Sequence, residues 1–467
     1  MTGRVTPAPP LDQIPAPRAA RRWWRDFAGS AAILSVVAVV ALWLANGGIG
    51  NLRGLGEPAT TLGRLTGLIA SDLLLLQVLL MARIPWVERG YGQDSLARRH
   101  RVLGFVSFWL MIAHVVLTTV GSAQSGSSSV LGEGWRLVVT YPGMLLATAG
   151  TLLLILVVIL SIRAARRRQR YETWHLLHLY AYLGVGLALP HQLWTGADFT
   201  ASPAACLYWW GLYGAALAAV LAFRVALPLG RSAYHRLRVD TVVTEAPGVV
   251  SVYLRGHRLD RLPARAGQFF LWRFLDGPGW SRAHPYSLSA GPRRDLLRIT
   301  VKDLGDGSRR VRQLRPGTRV LVEGPYGTLT AERSSGRRPL LIAAGVGITT
   351  MRALLDDLGP AGAGATLLYR IRTRAEAVFH AELDDLGRCF GVRVVYLEGS
   401  RARRGSWLPA ARCGHGDDTA ALRWLIPDVA EREAYLCGPP PWMAAVRTSL
   451  REAGMPDHLI HSEEFAW

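Results

Sequence analysis

The chain is 467 residues long, half of them hydrophobic, with a formal charge of +20. That is enough apolar sequence for a membrane bundle plus one or two soluble domains, and too much for a disordered chain. Arginine supplies the charge, Lys302 being the only lysine, but it is concentrated beside apolar runs at 18–25, 98–101 and 163–170. This is where juxtamembrane charge sits, so a nucleic-acid partner is not expected.

After a Pro/Ala/Arg-rich tail (1–26), six apolar segments follow at 27–46, 62–82, 101–121, 141–162, 174–194 and 203–229. Each is near the ~20 residues a helix needs to cross a bilayer, and the first is too long for a signal-peptide core. Basic residues crowd the tail, the connection with Arg83, Arg89, Arg98 and Arg99, the stretch 166–168 and the exit 231–238. The alternate loops, 47–61, 122–140 and 195–202, are Gly/Ser/Thr-rich with few charges. A six-helix domain over 27–230 in the inner, cytoplasmic membrane, with both termini cytoplasmic, is expected.

Four histidines lie in these segments, His100 and His114 in the third, His178 and His191 in the fifth. Intramembrane ionisable groups need a reason, and neutral imidazole is a common iron ligand. The third and fifth helices run parallel in this topology. His100 therefore pairs with His178 near the cytoplasmic face, and His114 with His191 further out, as axial ligands of two b-type haems. Fourteen residues, about four turns, put His100 and His114 on one face. The thirteen between His178 and His191 do not, and Pro190 is expected to kink or unwind that turn. His175 is the competing inner ligand.

From residue 231 short β-rich runs such as "AGQFFLWRF", "LLRITVKD" and "TRVLVEGPYG" suggest a small antiparallel barrel over 231–332. From 333 to 467, apolar runs "PLLIAAG", "ATLLYRI", "VRVVYLE" and "EAYLCG" alternate with helical stretches. That is an α/β domain with a parallel sheet, which binds nucleotides at its strand C-termini. The linker falls within 331–338.

In order, "AHPYSLSA" (283–290), "KDLGDGS" (302–308), "EGPYG" (323–327), "AAGVGITT" (343–350) and "YLCGPPPWM" (435–443) resemble the ferredoxin-NADP reductase type of flavin dehydrogenase. With six helices and the histidine quartet before them, the chain resembles the bacterial branch of the ferric reductase and NADPH oxidase superfamily. The resemblance implies FAD held by His284, Pro285, Tyr286 and Ser287, with Tyr286 on the flavin ring and Ser287 near its N5. Lys302, Gly307 and Ser308 belong to the same cofactor site, the last two letting backbone amides approach the pyrophosphate. It implies NADPH at Gly345, Gly347, Thr349, Cys437, Gly438 and Pro439, with Cys437 close to the nicotinamide.

Arg370, Arg372 and Arg374, then Arg401, Arg403 and Arg404, follow two successive strands where an NAD site often carries an acidic residue. Guanidinium groups suit a 2′-phosphate, which favours NADPH over NADH; Arg372 and Arg401 match the family best. The C-terminal "SEEFAW" resembles the terminal aromatic that covers the flavin, with Phe465 chosen and Trp467 as alternative. Two departures stand out, Thr350 where the family has proline and Thr118 where some oxygen-reducing relatives have a second histidine.

The implied function is a transmembrane oxidoreductase passing electrons from cytosolic NADPH, through FAD and two haems, to an outside acceptor. That acceptor is dioxygen, giving superoxide, or a ferric or cupric chelate; no obligate protein partner is evident. Two other classes stay open. A flavin reductase merely anchored by its helices would serve a cytosolic acceptor and hold no haem. A haem-binding sensor or assembly subunit would hold haem that NADPH does not reduce.

Overall fold

A computed structural model of the chain describes residues 18–53, 58–126, 128–162, 171–277, 279–412 and 416–463. Its contacts divide them into two compact units, Ala19–Tyr91 with Ser95–Val225, and Ala226–Trp467 with Gly92–Asp94. The break at 225/226 lies close to the composition change at 231. The arginines of 163–170 and the first 17 residues lie outside the described residues.

The first unit is helical: α1 Arg18–Ala45, α2 Pro58–Met81, α3 Gln93–Gly126, α4 Val130–Thr140, α5 Met144–Ser161, α6 Tyr171–Trp194 and α7 Pro203–Val220. A π-helical turn, Leu221–Ala226, carries α7 on into Leu227–His235. Five helices among the described residues are long and apolar enough to span a membrane: Trp23–Ala45, Pro58–Met81, Ser95–Gly126, Met144–Ser161 and Pro203–His235. The fifth predicted segment forms a helix of 24 residues, α6, but its histidines, tyrosines and Pro190 dilute its apolar character. Helix α3 starts before His100 and outruns its predicted segment. The outer loop 122–140 is not irregular, because Ser129 caps α4 by accepting from Gly132 N at 3.2 Å.

Small residues set the helix contacts. A Cβ on Gly150 of α5 would lie 2.6 Å from the Gly184 carbonyl of α6, so only glycine permits that approach. Val39, Trp43, Leu68, Phe199 and Trp209 form a local core. Beside it the fully buried Asp72 accepts from Ser35 at 2.7 Å and Tyr208 at 2.6 Å, tying α1, α2 and α7 together.

In the second unit the strands are β1 Arg238–Ala246, β2 Val249–Arg255, β3 Phe269–Phe274, β4 His284–Ser287, β5 Leu296–Lys302 and β6 Val320–Tyr326. They form two three-stranded antiparallel sheets, β1-β2-β5 and β4-β3-β6. The expected barrel is thus interrupted at two seams, each held by an isolated bridge, Arg238 to Arg319 and Leu288 to Ile299. Alternating inward residues of both sheets, Val250, Val252, Leu254, Phe270, Trp272, Leu297, Ile299 and Val322, share one core.

The remaining strands, β7 Pro339–Ala344, β8 Thr366–Ile371, β9 Arg393–Glu398, β10 Glu433–Cys437 and β11 Ile460–Ser462, form one parallel sheet ordered β11-β10-β7-β8-β9. The first four are the predicted apolar runs. Their crossover helices include α8 Ile348–Leu358, α9 His380–Phe390 and α10 Pro440–Glu452. Near-continuous burial of β7, β8 and β10 is the mark of a sheet covered on both faces.

Candidate functional site

In the helical unit, the His100 ring faces His178 with centroids 5.9 Å apart. Ser161 at the end of α5 lies 3.2 Å from His178 Nδ1 and accepts from Trp174 Nε1 at 3.3 Å, while the Trp174 ring stacks on His178 at 5.2 Å. His178 is therefore the ring beside His100, while the His175 ring lies 6.5 Å from that of Trp174. Helix α6 continues through Pro190, so the turn does not unwind there, and Thr195 N donates to His191 O at 2.9 Å. The ladder tolerates proline there without unwinding.

His114 Nδ1 lies 2.8 Å from the Gly63 carbonyl, and His191 Nδ1 bonds the Ala188 carbonyl. Donation from Nδ1 places the lone pair on Nε2, the tautomer a metal-binding imidazole needs. Among the described residues no three or more His, Cys, Asp or Glu side chains come together as a cage. Two imidazoles without a cage fit a haem iron, whose other four ligands come from the macrocycle. The 5.9 Å separation matches an imidazole–metal–imidazole axis with bonds of about 2 Å, which spans roughly 6 Å between ring centres.

Gly67 makes room for this arrangement, because a Cβ there would sit 2.5 Å from His114 Nδ1. Gly67→Ala is expected to push the ring aside and lower haem content by about half, one of two sites. Pyridine haemochrome assay of the purified variant against its flavin content checks this.

In the second unit, β4 carries His284, Pro285, Tyr286 and Ser287 opposite Trp272, Leu271, Phe270 and Phe269. The His284 and Tyr286 rings lie 6.0 Å apart and 14° from parallel, and Trp272 Nε1 donates to Tyr286 O at 2.9 Å. Burial keeps the Tyr286 phenol protonated well above its ordinary range. A Cβ on Gly307 would lie 2.6 Å from His284 Cε1, so "HPYS" and "GDGS" meet at these two residues. They line a cavity of about 190 Å³ with Asp276, Arg282, Asp306 and Arg310. Ser308 Oγ accepts from Leu304 N at 2.8 Å and donates to Gly305 O at 2.9 Å, fixing the turn. Lys302 ends β5 with an exposed side chain.

The predicted nucleotide residues fall along one edge of the parallel sheet. Gly345, Gly347 and Thr349 follow β7, Cys437, Gly438 and Pro439 end or follow β10, Arg372 follows β8 and Arg401 follows β9. Gly345 adopts φ +54°, and a Cβ on Gly347 would meet the Cys437 carbonyl at 2.3 Å. Cys437 is buried, and that burial pushes its thiol up to about 12, so it stays neutral; its Sγ lies 3.8 Å from Thr350 Oγ1. The arginines divide. Arg370 donates to the Leu397 and Gly399 carbonyls at 3.0 and 2.7 Å and is structural, whereas Arg372 and Arg401 are exposed. Phe465 and Trp467 lie outside the described residues, but the preceding Glu463 is buried, and a Cβ on Gly327 of "EGPYG" would meet it at 2.7 Å.

A family model described as "Ferric reductase like transmembrane component" matches residues 66–189, which contain His100, His114 and His178; His191 lies two residues beyond the match. The ferredoxin reductase component of 3-ketosteroid-9-alpha-monooxygenase from Mycolicibacterium smegmatis is 34% identical over 248 residues, covering 51% of this chain and 67% of that protein. The chain thus joins a segment matching the ferric reductase-like transmembrane family to a half that belongs with the ferredoxin reductases. Its second unit also aligns with a flavohemoprotein of Bordetella pertussis, 29% identical over 50% of the chain and 61% of the relative. The flavohem-like FAD/NAD binding domain of a Vibrio cholerae nitric oxide dioxygenase overlays 50% of this chain and 98% of its own, at 24% identity and a TM-score of 0.39.

By these two likenesses the chain is a membrane-associated oxidoreductase whose second unit binds FAD and NAD(P)H. The superfamily motifs missed one feature, a charge cluster inside that unit. Arg298 of β5, only 6% exposed, donates to Glu382 of α9 at 2.5 and 3.0 Å and to Ser289 O at 2.8 Å. Glu382 also accepts from Arg352 of α8 at 2.5 Å. The only sequence signal was an arginine inside an otherwise apolar strand, "LLRITVK". Arg282 and Arg310, which line the cavity, were likewise lost among many arginines.

Proposed function

We propose that this chain is a six-span transmembrane oxidoreductase of the cytoplasmic membrane, with both termini cytoplasmic. It passes electrons from NADPH through FAD and two b-type haems to an extracytoplasmic acceptor, dioxygen or a ferric or cupric chelate. The observation that carries this reading is the His100–His178 pair at 5.9 Å within membrane helices of a chain that also bears a flavin and nicotinamide half.

When bound, FAD accepts a hydride and releases single electrons, and haem iron relays them. The chain's own residues bind and orient. Gly345 and Gly347 leave the loop open for a dinucleotide backbone, and the α8 N-terminus favours its phosphates. Cys437, a neutral buried thiol, sets the floor under the nicotinamide without drawing its charge. Tyr286 would supply an apolar ring face to the flavin, His284 and Gly307 would hold its phosphate arm, and Phe465, by the resemblance alone, would cover it. His100 with His178, and His114 with His191, would hold the two haem irons.

Arg372 and Arg401 hold the 2′-phosphate. Replacing both by alanine is expected to raise the KM for NADPH at least about tenfold, the loss of one or two charge-assisted hydrogen bonds, and to leave the KM for NADH unchanged. Steady-state kinetics with both nucleotides decide it. The acceptor is tested on purified protein with added FAD, comparing superoxide-dismutase-sensitive dye reduction with ferric-chelate reduction under air and anaerobically. Reduction only in air and sensitive to dismutase assigns dioxygen; undiminished anaerobic chelate reduction assigns the metal. Reduction of neither contradicts the reading.

A further inference from the structure

Helix α4, Val130–Thr140, divides sharply between its faces. Leu131, Trp135 and Val139, at i, i+4 and i+8, are 90, 70 and 49% exposed, while Glu133 is 3% exposed. That spacing spans about 80° of the helix and forms a single stripe. The opposite side is fastened to α3. Ser122 donates to Glu133 Oε1 at 2.5 Å, Ser128 to Oε2 at 3.2 Å and Arg136 Nε to Oε2 at 2.8 Å, and a Cβ on Gly134 would be 3.4 Å from Thr119.

We propose that α4 lies in the plane of the membrane–water interface, its Leu131–Trp135–Val139 stripe sunk at the headgroup–acyl boundary and Glu133 clamping its polar side to the histidine-bearing helix. Three observations choose lipid as the occupant. The stripe runs on into Tyr141, Leu145 and Leu146, which are 43, 65 and 40% exposed where α5 begins its span. Val115 and Val116 on the span of α3 are exposed in the same way, at 43 and 52%. Tryptophan with leucine on one face and a polar opposite face is the composition of an interfacial helix. The charges of Glu133 and Arg136 satisfy each other, so the attraction is to the apolar boundary and not to anionic headgroups.

The placement bears on the outer histidine pair. Thr119 and Ser122 lie about one and two turns beyond His114 on α3. At the far end of α4, Gly143 fits against His191, where a Cβ would lie 2.8 Å from the His191 nitrogen. Helix α4 thus ties the two outer-histidine helices together at their outer end and seats them at the lipid surface. This rests on the membrane reading above, and the experiment separates the two.

Cys206, Cys389 and Cys413 are replaced by serine in the full-length protein, leaving the buried Cys437. Single cysteines at Leu131, Trp135 and Val139 are spin-labelled in liposomes, with Val116 as the spanning reference and Arg136 as the polar-face reference. Retained helical far-ultraviolet circular dichroism and unchanged haem content certify each fold. The expected result is collision with dissolved oxygen exceeding that with a water-soluble nickel chelate several-fold at 131, 135, 139 and 116, and the reverse at 136. Lipid-like access at 116 with chelate-dominated relaxation at 131, 135 and 139 overturns this inference alone. Chelate-dominated relaxation at 116 overturns the membrane reading with it.

Discussion

His178→Leu is expected to remove the inner haem and stop electrons from leaving the flavin half, while His175→Leu keeps both. The two residues are three apart in one helix, so propensity, charge and depth barely distinguish them. Geometry does, because the His178 ring faces His100 at 5.9 Å and is bracketed by Ser161 and Trp174. Losing one axial ligand leaves an iron site with half its protein anchor. Haem-to-flavin ratio is expected to fall to half or less. NADPH-driven reduction of a soluble dye at the flavin is expected to persist within about twofold, since the second unit is a separate compact body. Haem content and the two activities of both variants check this. Full haem in His178→Leu with loss in His175→Leu would reverse the assignment.

Glu382→Gln is expected to be the most destabilising single change in the second unit outside its apolar cores. Arg298 is 6% exposed and keeps its charge, so removing the carboxylate charge strands a buried guanidinium. Because the Glu382 side chain is one-third exposed, the cost is set below that of a fully buried pair, at about 2 kcal/mol. A matching pH dependence follows. Burial opposes ionisation of Glu382, but its hydrogen bond and ion pair with Arg298, and then Arg352, outweigh that and hold its carboxyl below the ordinary value. A depressed carboxyl contributes stability that is fully present above the ordinary carboxylate pKa and lost as pH falls below it. Melting of full-length protein, followed by flavin release from pH 7 down into the acid range, should show a drop in wild type that Glu382→Gln lacks. Parallel wild-type and variant curves would count against the cluster.

Legibility in the sequence followed how local the signal was. Among the described residues apolar length located the five helices long and apolar enough to span a membrane, and the order "PLLIAAG", "ATLLYRI", "VRVVYLE", "EAYLCG" located four parallel strands, because both depend on runs of neighbours. Pairing of His100 with His178 was readable too, since parallel helices convert sequence depth into spatial depth. Whether Pro190 would unwind its turn was not readable, because that depends on what packs around it; the helix stays wound through it. Helix α4 was hidden by a Gly/Ser-rich loop; only Ser129 before an apolar stripe hinted at it, and Glu133 needed a partner on another helix. The barrel seams and the Arg298–Glu382 pair lie between segments far apart in sequence, where composition carries no information. The resemblance already picked Arg372 and Arg401; the commitment of Arg370 to the Leu397 and Gly399 carbonyls was visible only in the coordinates.

The central claim is that nicotinamide electrons reach histidine-bound haem within this one chain. It is tested most directly by the visible spectrum of the purified protein with FAD, recorded anaerobically before and after NADPH. The account predicts haem bands at two per flavin that NADPH converts to the reduced form. A flavin-only spectrum, or haem that dithionite reduces and NADPH does not, would contradict it.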